Sequence, residues 1–364
     1  MGHRSGRLTV LYVSGHSDLA GGGQVSLLLL VRLLDKDRFL PLLLCPGDGE
    51  VARRAREFGA QVALLGSGGS IDCTSALLQA LPFRRHVEAR KADIVHCDTL
   101  YTALAAGIGV VGTGVPVIFH ARSSETGGAL DRLVPLFCTK IIAVSNAAAR
   151  RFAPQARSKL SVIYNGVDLA EYRPGGGGQG LRQRLEITDD AFVLGYAGQL
   201  IKPKGLDVLI RAFARLRAEF ATVKLLISGR GRDEAALRAM AGDGVRFLPF
   251  SDHMSDFYSA LDVFVLPTMY AEGLSRSLIE SMACGVPAVA TPSGGNAEAL
   301  VDGETGFFVP VRNEGALYGR LRDLYLAPEG RKRMGAAARR RAEQLFDAVV
   351  CTHAVEELYT QVCP

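Results

Sequence analysis

Tryptophan is absent from this 364-residue chain, and none of its seven cysteines belongs to a Cys-x-x-Cys pair. The cysteines (45, 73, 97, 138, 284, 351 and 363) are odd in number and scattered. That excludes a disulfide framework and fits a reduced, cytosolic compartment. The N-terminus, MGHRSGRLTVLYVS, lacks the long apolar core of a signal peptide. The longest apolar stretch, VSLLLLVRLL, is short and carries Arg32, so it reads as a buried helix and not as a membrane span. There is no His-Glu-x-x-His, no Walker A sequence and no Cys/His cluster, so no metal site is expected. Asp35 and Asp37 have the spacing of a metal-holding Asp-x-Asp, but they sit in a polar turn at a helix end, which favours a surface turn. GIGVVG (107–112) spells a dinucleotide fingerprint in the wrong place: it follows a helical pattern and precedes a strand. Repeats and long low-complexity tracts are missing too.

What is present is an ordinary globular composition, 48% hydrophobic and 22% charged, enough for two cores at this length. The net charge of +5 is no nucleic-acid signature; it suits an anionic ligand, an anionic membrane surface or a plain solvated face. The 41 glycines point to tight turns and close backbone approaches.

Short apolar runs alternate with helical patterns. LTVLYVS (8–14), LPLLLC (40–45), ADIVHC (92–97), PVIFH (116–120), KIIAVS (140–145) and LSVIY (160–164) read as buried strands, with VARRAREFGA and NAAARRFA among the helices between them. Continuously apolar strands in strand–helix alternation imply a parallel sheet covered on both faces. The pattern restarts after RPGGGGQG (173–180), read as the linker, with FVLGYAG, VKLLISG, VRFLPF, DVFVLP, PAVATP and GFFVP. The expected fold is α/β: two Rossmann-like doubly wound domains with a cleft between them. The boundaries are 1–172, with a C-terminal helix at about 347–364 packing back on it, and 173–346. The arginine clusters of the helical tail are read as a solvated face.

Four features fall at strand ends, where such sheets bind ligands. Gly21, Gly22 and Gly23 follow the first strand and open a helix, either as a phosphate cradle or as a simple turn. GQLIKPKGLD (198–207) puts Lys202 and Lys204 after another strand. His120 ends PVIFH with Arg122 just beyond, facing the cleft or filling the core. EGLSRSLIESMACG then brackets a helix start with Glu272 and Glu280, with the amides of Gly273, Leu274 and Ser275 between. Carboxylates accept from hydroxyls and amides donate to phosphate, so a ligand carrying both would satisfy this stretch.

In this order the motifs strongly resemble the retaining glycosyltransferases of the GT-B fold, family 4 in particular. The resemblance covers nearly the whole chain and rests on the Glu-x7-Glu run, VSNAAARRF, VIYNGVDLAEYRP, the KPKGLDVLI block and VRFLPFSDHMSDFYSALDVFVLP. It implies a metal-independent hexosyltransferase that needs no cofactor. The co-substrate would be a nucleoside diphosphate sugar, UDP-sugar first and GDP-sugar second, and the acceptor a hydroxyl of a lipid-linked, polysaccharide or small molecule. The cellular place implied is the cytoplasm, with peripheral contact at the inner membrane face, and no nucleic-acid partner. By position, Glu272 would bond the transferred sugar, Glu280 the ribose, Lys204 the diphosphate, and His120 the region of the sugar and β-phosphate. Gly21 to Gly23 would close on the phosphates, Phe250 and Ser251 would meet the base, and Arg230 would approach the nucleotide. One departure stands out: Gln199 replaces an arginine, exchanging a charge-assisted hydrogen bond for a weaker neutral one. Two rival readings remain, an epimerase-like relative and a non-catalytic nucleotide-sugar-binding subunit.

Overall fold

The computed structural model describes residues 6–19, 21–66, 71, 76–249 and 254–363. The chain splits into two compact units, residues 1–166 with 348–364, and residues 167–347. The division therefore falls ahead of the glycine run. That run is no free tether: Gly177 and Gly178 pack directly against Asp256 and Ser259, inside the second unit.

The first unit is built on β1 (Leu8–Val13), β2 (Phe39–Cys45), β3 (Gln61–Leu64), β4 (Ile94–Cys97), β5 (Val117–Ala121), β6 (Lys140–Ala143) and β7 (Leu160–Val162). They form one parallel sheet in the order β3-β2-β1-β4-β5-β6-β7, which reverses direction between β1 and β4. Strand alternation sends Leu11 and Val13 to one core, Val10 and Tyr12 to the other. The second of these cores is closed by the helix Ala348–Val362, whose Val355, Leu358 and Tyr359 sit among Val10, Ile94, Ile118 and Ile142. Gly166 touches Ala348 so closely that a side chain there would strike its backbone, which accounts for the glycine of the NGVD stretch.

GIGVVG finds its explanation here. Gly107 and Gly109 lie in the helix Leu100–Gly109, and a Cβ on them would run into Phe137 and the Ala80 carbonyl of the helices alongside. These glycines permit close helix packing, which accounts for them without a nucleotide. Gly109→Val should destabilise the chain by about 1–3 kcal/mol through overpacking. Urea unfolding would show it, and an unchanged midpoint would contradict this packing account. Asp35 and Asp37 prove to be a turn: between them, the Lys36 ammonium donates to the carbonyls of Val31 and Arg32 at 3.2 and 2.8 Å, capping the preceding helix.

The second unit holds β8 (Val193–Ala197), β9 (Lys224–Ser228), β10 (Val245–Leu248), β11 (Val263–Leu266), β12 (Ala288–Ala290) and β13 (Gly306–Phe308). They are parallel in the order β10-β9-β8-β11-β12-β13, with the reversal between β8 and β11. The arginines of the tail are not all a solvated face. On the helix Pro328–Leu345, Arg339 donates to the Ala283 and Tyr172 carbonyls at 2.7 Å, and Arg341 donates to the carbonyls of Glu298 and Ala299. Those acceptors include the last turns of the helices Arg276–Ala283 and Asn296–Ala299, where carbonyls lack helical partners and cations are favoured.

Candidate functional site

Ligands of doubly wound sheets bind beyond the carboxyl ends of strands at the reversal of strand order. In the second unit that point lies between the loops after β8 and β11. The β8 loop runs from Gly198 into a short 3-10 turn, Lys202–Lys204, and then enters the helix Leu206–Glu219 through Gly205. Gly205 has φ of 71° and faces the Pro267 carbonyl, so a side chain there is barred twice over. The glycine thus lets the two loops lie against each other, and the Met269 amide donates to the Pro203 carbonyl at 2.7 Å.

This contact brings Lys204 to Glu272. The ammonium donates to Glu272 Oε1 at 2.7 Å, with both side chains almost wholly buried. Burial alone would lower the Lys204 pKa; the adjacent Glu272 carboxylate and Tyr270 together outweigh it and hold Lys204 above the usual ammonium value. The same ammonium lies 5.0 Å from the Tyr270 ring centroid. A cation and a carboxylate that the sequence keeps far apart are thus neighbours at one sheet edge. Lys202, by contrast, is exposed, as are the side chains of Gln199 and Arg230. The backbones of these last two belong to the loop structure: Gln199 O accepts from Tyr196 Oη at 2.9 Å, and Arg230 O accepts from the Leu200 amide at 3.0 Å.

Glu280 lies on the helix Arg276–Ala283 and is buried. Both its oxygens are engaged, Oε1 by Arg276 at 2.8 Å and Oε2 by the Tyr258 hydroxyl at 2.9 Å. A carboxylate has about four acceptor positions, so capacity for a further hydroxyl remains. Burial, and then the Glu280 charge, push the Tyr258 pKa up and keep it a hydroxyl donor. The amides expected to face a phosphate are not all available. Ser275 N–H donates to Asn296 Oδ1 at 3.0 Å, so the first amide of the helix start is held by the protein itself. Gly273 and Leu274 are both buried. The turn is pinned from the β12 loop, where the Gly295 amide donates to the Glu272 carbonyl at 2.9 Å and Gly294, at φ 61°, rests on that carbonyl. Phe250 and Ser251 lie outside the described residues.

In the first unit Gly21 precedes the helix Gly22–Leu33 in an extended conformation. Among the described residues, a Cβ on Gly21 would meet nothing within 4 Å, and one on Gly23 only the Arg122 side chain at 3.3 Å. No contact among the described residues demands a glycine at Gly21. His120 differs from the expectation of a strand-end residue facing outward. The strand continues to Ala121, and the His120 ring turns into the interior, with Nδ1 3.2 Å from His96 Nε2 and 3.3 Å from an Arg122 nitrogen. Arg122 in turn donates to Asn165 Oδ1 at 3.2 Å. Burial, then the Arg122 charge and His96, push the His120 pKa well below the usual value, so the ring is neutral.

Several participants escaped the sequence reading: Arg276 and Tyr258 on Glu280, Asn296 on the Glu272 turn, and Asp98. Asp98 follows β4 at the first sheet's reversal point and accepts from the Gly15 amide at 3.0 Å. Its Oδ2 is buried with no hydrogen-bond partner among the described residues. Burial raises its pKa against the lowering effect of Arg122. Its signal was positional, an acid directly after an apolar strand. Among the described residues no group of three or more His, Cys, Asp or Glu gathers to hold a metal, and no helix is long and apolar enough to cross a membrane.

Known proteins bear on both units. Residues 20–171 match the model of Glycosyltransferase Family 4, and residues 179–341 match that of Glycosyl transferases group 1. The D-inositol 3-phosphate glycosyltransferase of Streptomyces scabiei is 34% identical over 303 residues, which cover 74% of this chain and 68% of that protein. The chain belongs to the family 4 glycosyltransferases. Spore coat protein SA of Bacillus subtilis is 32% identical over 212 residues, 53% of this chain, and the chain spans only 56% of that relative's length. The crystal structure of Anabaena HepE in complex with UDP-glucose superposes with a TM-score of 0.85 at 21% identity, covering 98% of this chain and 100% of that one. At that identity the likeness establishes the GT-B fold of two Rossmann-like units.

Proposed function

We propose that the chain transfers a hexose from a nucleoside diphosphate sugar to a hydroxyl acceptor with retention of anomeric configuration. The observation that carries this is the buried Lys204–Glu272 pair at the reversal point of the second sheet. A diphosphate supplies the charge that Lys204 attracts, and a sugar supplies the hydroxyls that Glu272 and Glu280 accept. The family supports transfer, and the UDP-glucose of the HepE structure favours uridine over guanosine as the base.

The acceptor oxygen forms a bond to the sugar's anomeric carbon as the bond from that carbon to the leaving phosphate oxygen breaks. The acceptor's proton passes to that phosphate on the same face. Negative charge grows on the leaving group, and Lys204 stabilises it without a metal or other cofactor. His120 and the glycines Gly21 to Gly23 are assigned to the sugar–phosphate region, and Arg230, Phe250 and Ser251 to the nucleotide. A glycan or glycolipid acceptor, and work at the cytoplasmic face of a membrane, suit the basic balance of the chain.

The test is incubation of the full-length chain with UDP- and GDP-sugars and a panel of hydroxyl acceptors, with NMR of the product. The expected product from an α-linked donor is α-linked, and turnover persists in EDTA. A β-linked product would contradict retention, and loss of turnover in EDTA would contradict metal independence. Isomerised sugar without transfer would instead establish the epimerase-like reading.

A further inference from the structure

Three neighbouring strands of the first sheet carry a polar residue on one face. Tyr12 of β1 is the cross-strand partner of His96 in β4, whose partner in β5 is Ile118, and His120 stands two residues further along β5. Alternation puts all three on the face covered by the helix Ala348–Val362, which contributes Tyr359. The hydroxyls of Tyr12 and Tyr359 are 3.2 Å apart, Tyr359 Oη is 2.6 Å from His96 Nδ1, and His96 Nε2 is 3.2 Å from His120 Nδ1.

The direction of the hydrogen bonds from His120 through His96 to Tyr359 follows from one member. A guanidinium only donates, so the Arg122 nitrogen 3.3 Å from His120 Nδ1 makes that atom an acceptor. His96 Nε2 must therefore carry the proton it shares with His120. Burial, and then the Arg122 charge, push the His96 pKa down to about 3, so this ring holds a single proton and its Nδ1 is bare. The Tyr359 hydroxyl has one proton for two neighbours, His96 Nδ1 at 2.6 Å and Tyr12 Oη at 3.2 Å, and the bare nitrogen at the shorter distance takes it. At the other end the proton of neutral His120 resides on Nε2, a buried atom with no partner among the described residues.

We propose that Tyr359 and His96 are positioning residues that fix His120 as a neutral Nε2–H donor. His120 is then a donor to an oxygen of the substrate and never a base. This rests on the assignment of His120 to the sugar–phosphate region. The last helix of the chain thereby sets the chemistry of a residue near its middle.

The experiment is long-range proton–nitrogen NMR of the histidine rings in the full-length chain, with His120 and His96 assigned by His120→Gln and His96→Gln. The wild type should show both rings as pure Nε2–H tautomers at neutral pH. Tyr359→Phe keeps the ring packing and removes the hydroxyl, so the His96 and His120 signals should move toward mixed tautomers. UDP release from UDP-glucose should fall about fivefold, the worth of one neutral hydrogen bond. Tyr12→Phe removes only the terminal link and should leave the tautomers unchanged. An Nδ1–H signal for His120 in the wild type overturns the proposal without any variant. So does a Tyr359→Phe protein with unaltered His96 and His120 signals. Failure of the wild type to bind any nucleotide sugar, with the tautomers as stated, would instead count against the transferase reading alone.

Discussion

Lys204→Ala should lower turnover of the nucleotide-sugar donor about 10²–10³-fold, or ~3–4 kcal/mol of transition-state stabilisation. The leaving diphosphate gains charge as the glycosidic bond breaks, and Lys204 is the buried ammonium at the reversal point of the second sheet. A buried charge acts through a lower effective dielectric than a surface one and is worth correspondingly more. Lys204→Arg should restore only part of the rate, because the pocket fits a compact ammonium that touches Glu272 at 2.7 Å and the Tyr270 face. Steady-state kinetics on protein with a checked unfolding midpoint would decide it. A folded Lys204→Ala enzyme within a few-fold of wild type would remove Lys204 from the chemistry.

Glu280→Ala should do its damage first to the fold. The carboxylate is buried against Arg276 and Tyr258, and its removal takes the counter-charge from a buried guanidinium and the acceptor from a buried hydroxyl. Breaking such a pair from one side costs about 3–5 kcal/mol. Adding Arg276→Met should recover a large part of that, since replacing both partners by apolar groups is far less harmful than removing one. Urea unfolding of the two variants measures the difference. Equal stability of Glu280→Ala and wild type would show that the pair does not support the second unit. For studies of donor binding, Glu280→Gln is the better substitution, because its amide oxygen still accepts from Arg276.

Most strands legible in the sequence are buried on both faces, where continuous apolar runs such as LYV and FVL have no other home, and the partly exposed edge strands β7, β10 and β13 were legible as well from LSVIY, VRFLPF and GFFVP. β3 was not, and its structure says why: Gln61 and Leu64 are exposed on an edge strand, so QVAL carries little of the apolar signal. The NAAARRFA pattern predicted a helix longer than Asn146–Ala149; Ser145 caps its start by accepting from the Ala148 amide, but the helix ends within a turn. The arginines of the tail were misread because their partners are carbonyl groups of helices distant in sequence, which composition does not reveal.

For the candidate site, residue types and order were enough to mark Lys204, Glu272 and Glu280. Their pairings were not. The Lys204–Glu272 contact depends on Gly205 lying against Pro267, a property of loop packing. The amide of Ser275, expected to face a ligand, is held by Asn296 from another loop. The row through Tyr12, His96 and His120 depends on strand register, which is set by the neighbouring strands and invisible in any one of them.

Titration calorimetry of the full-length chain with UDP-sugars and GDP-sugars, beside Lys204→Ala, tests the donor site directly. One nucleotide class should bind the wild type with a Kd in the range of about 1 μM–1 mM usual for enzyme substrates, and Lys204→Ala should weaken it. A folded wild-type chain that binds no nucleotide sugar would contradict the account and leave a non-catalytic partner subunit in its place.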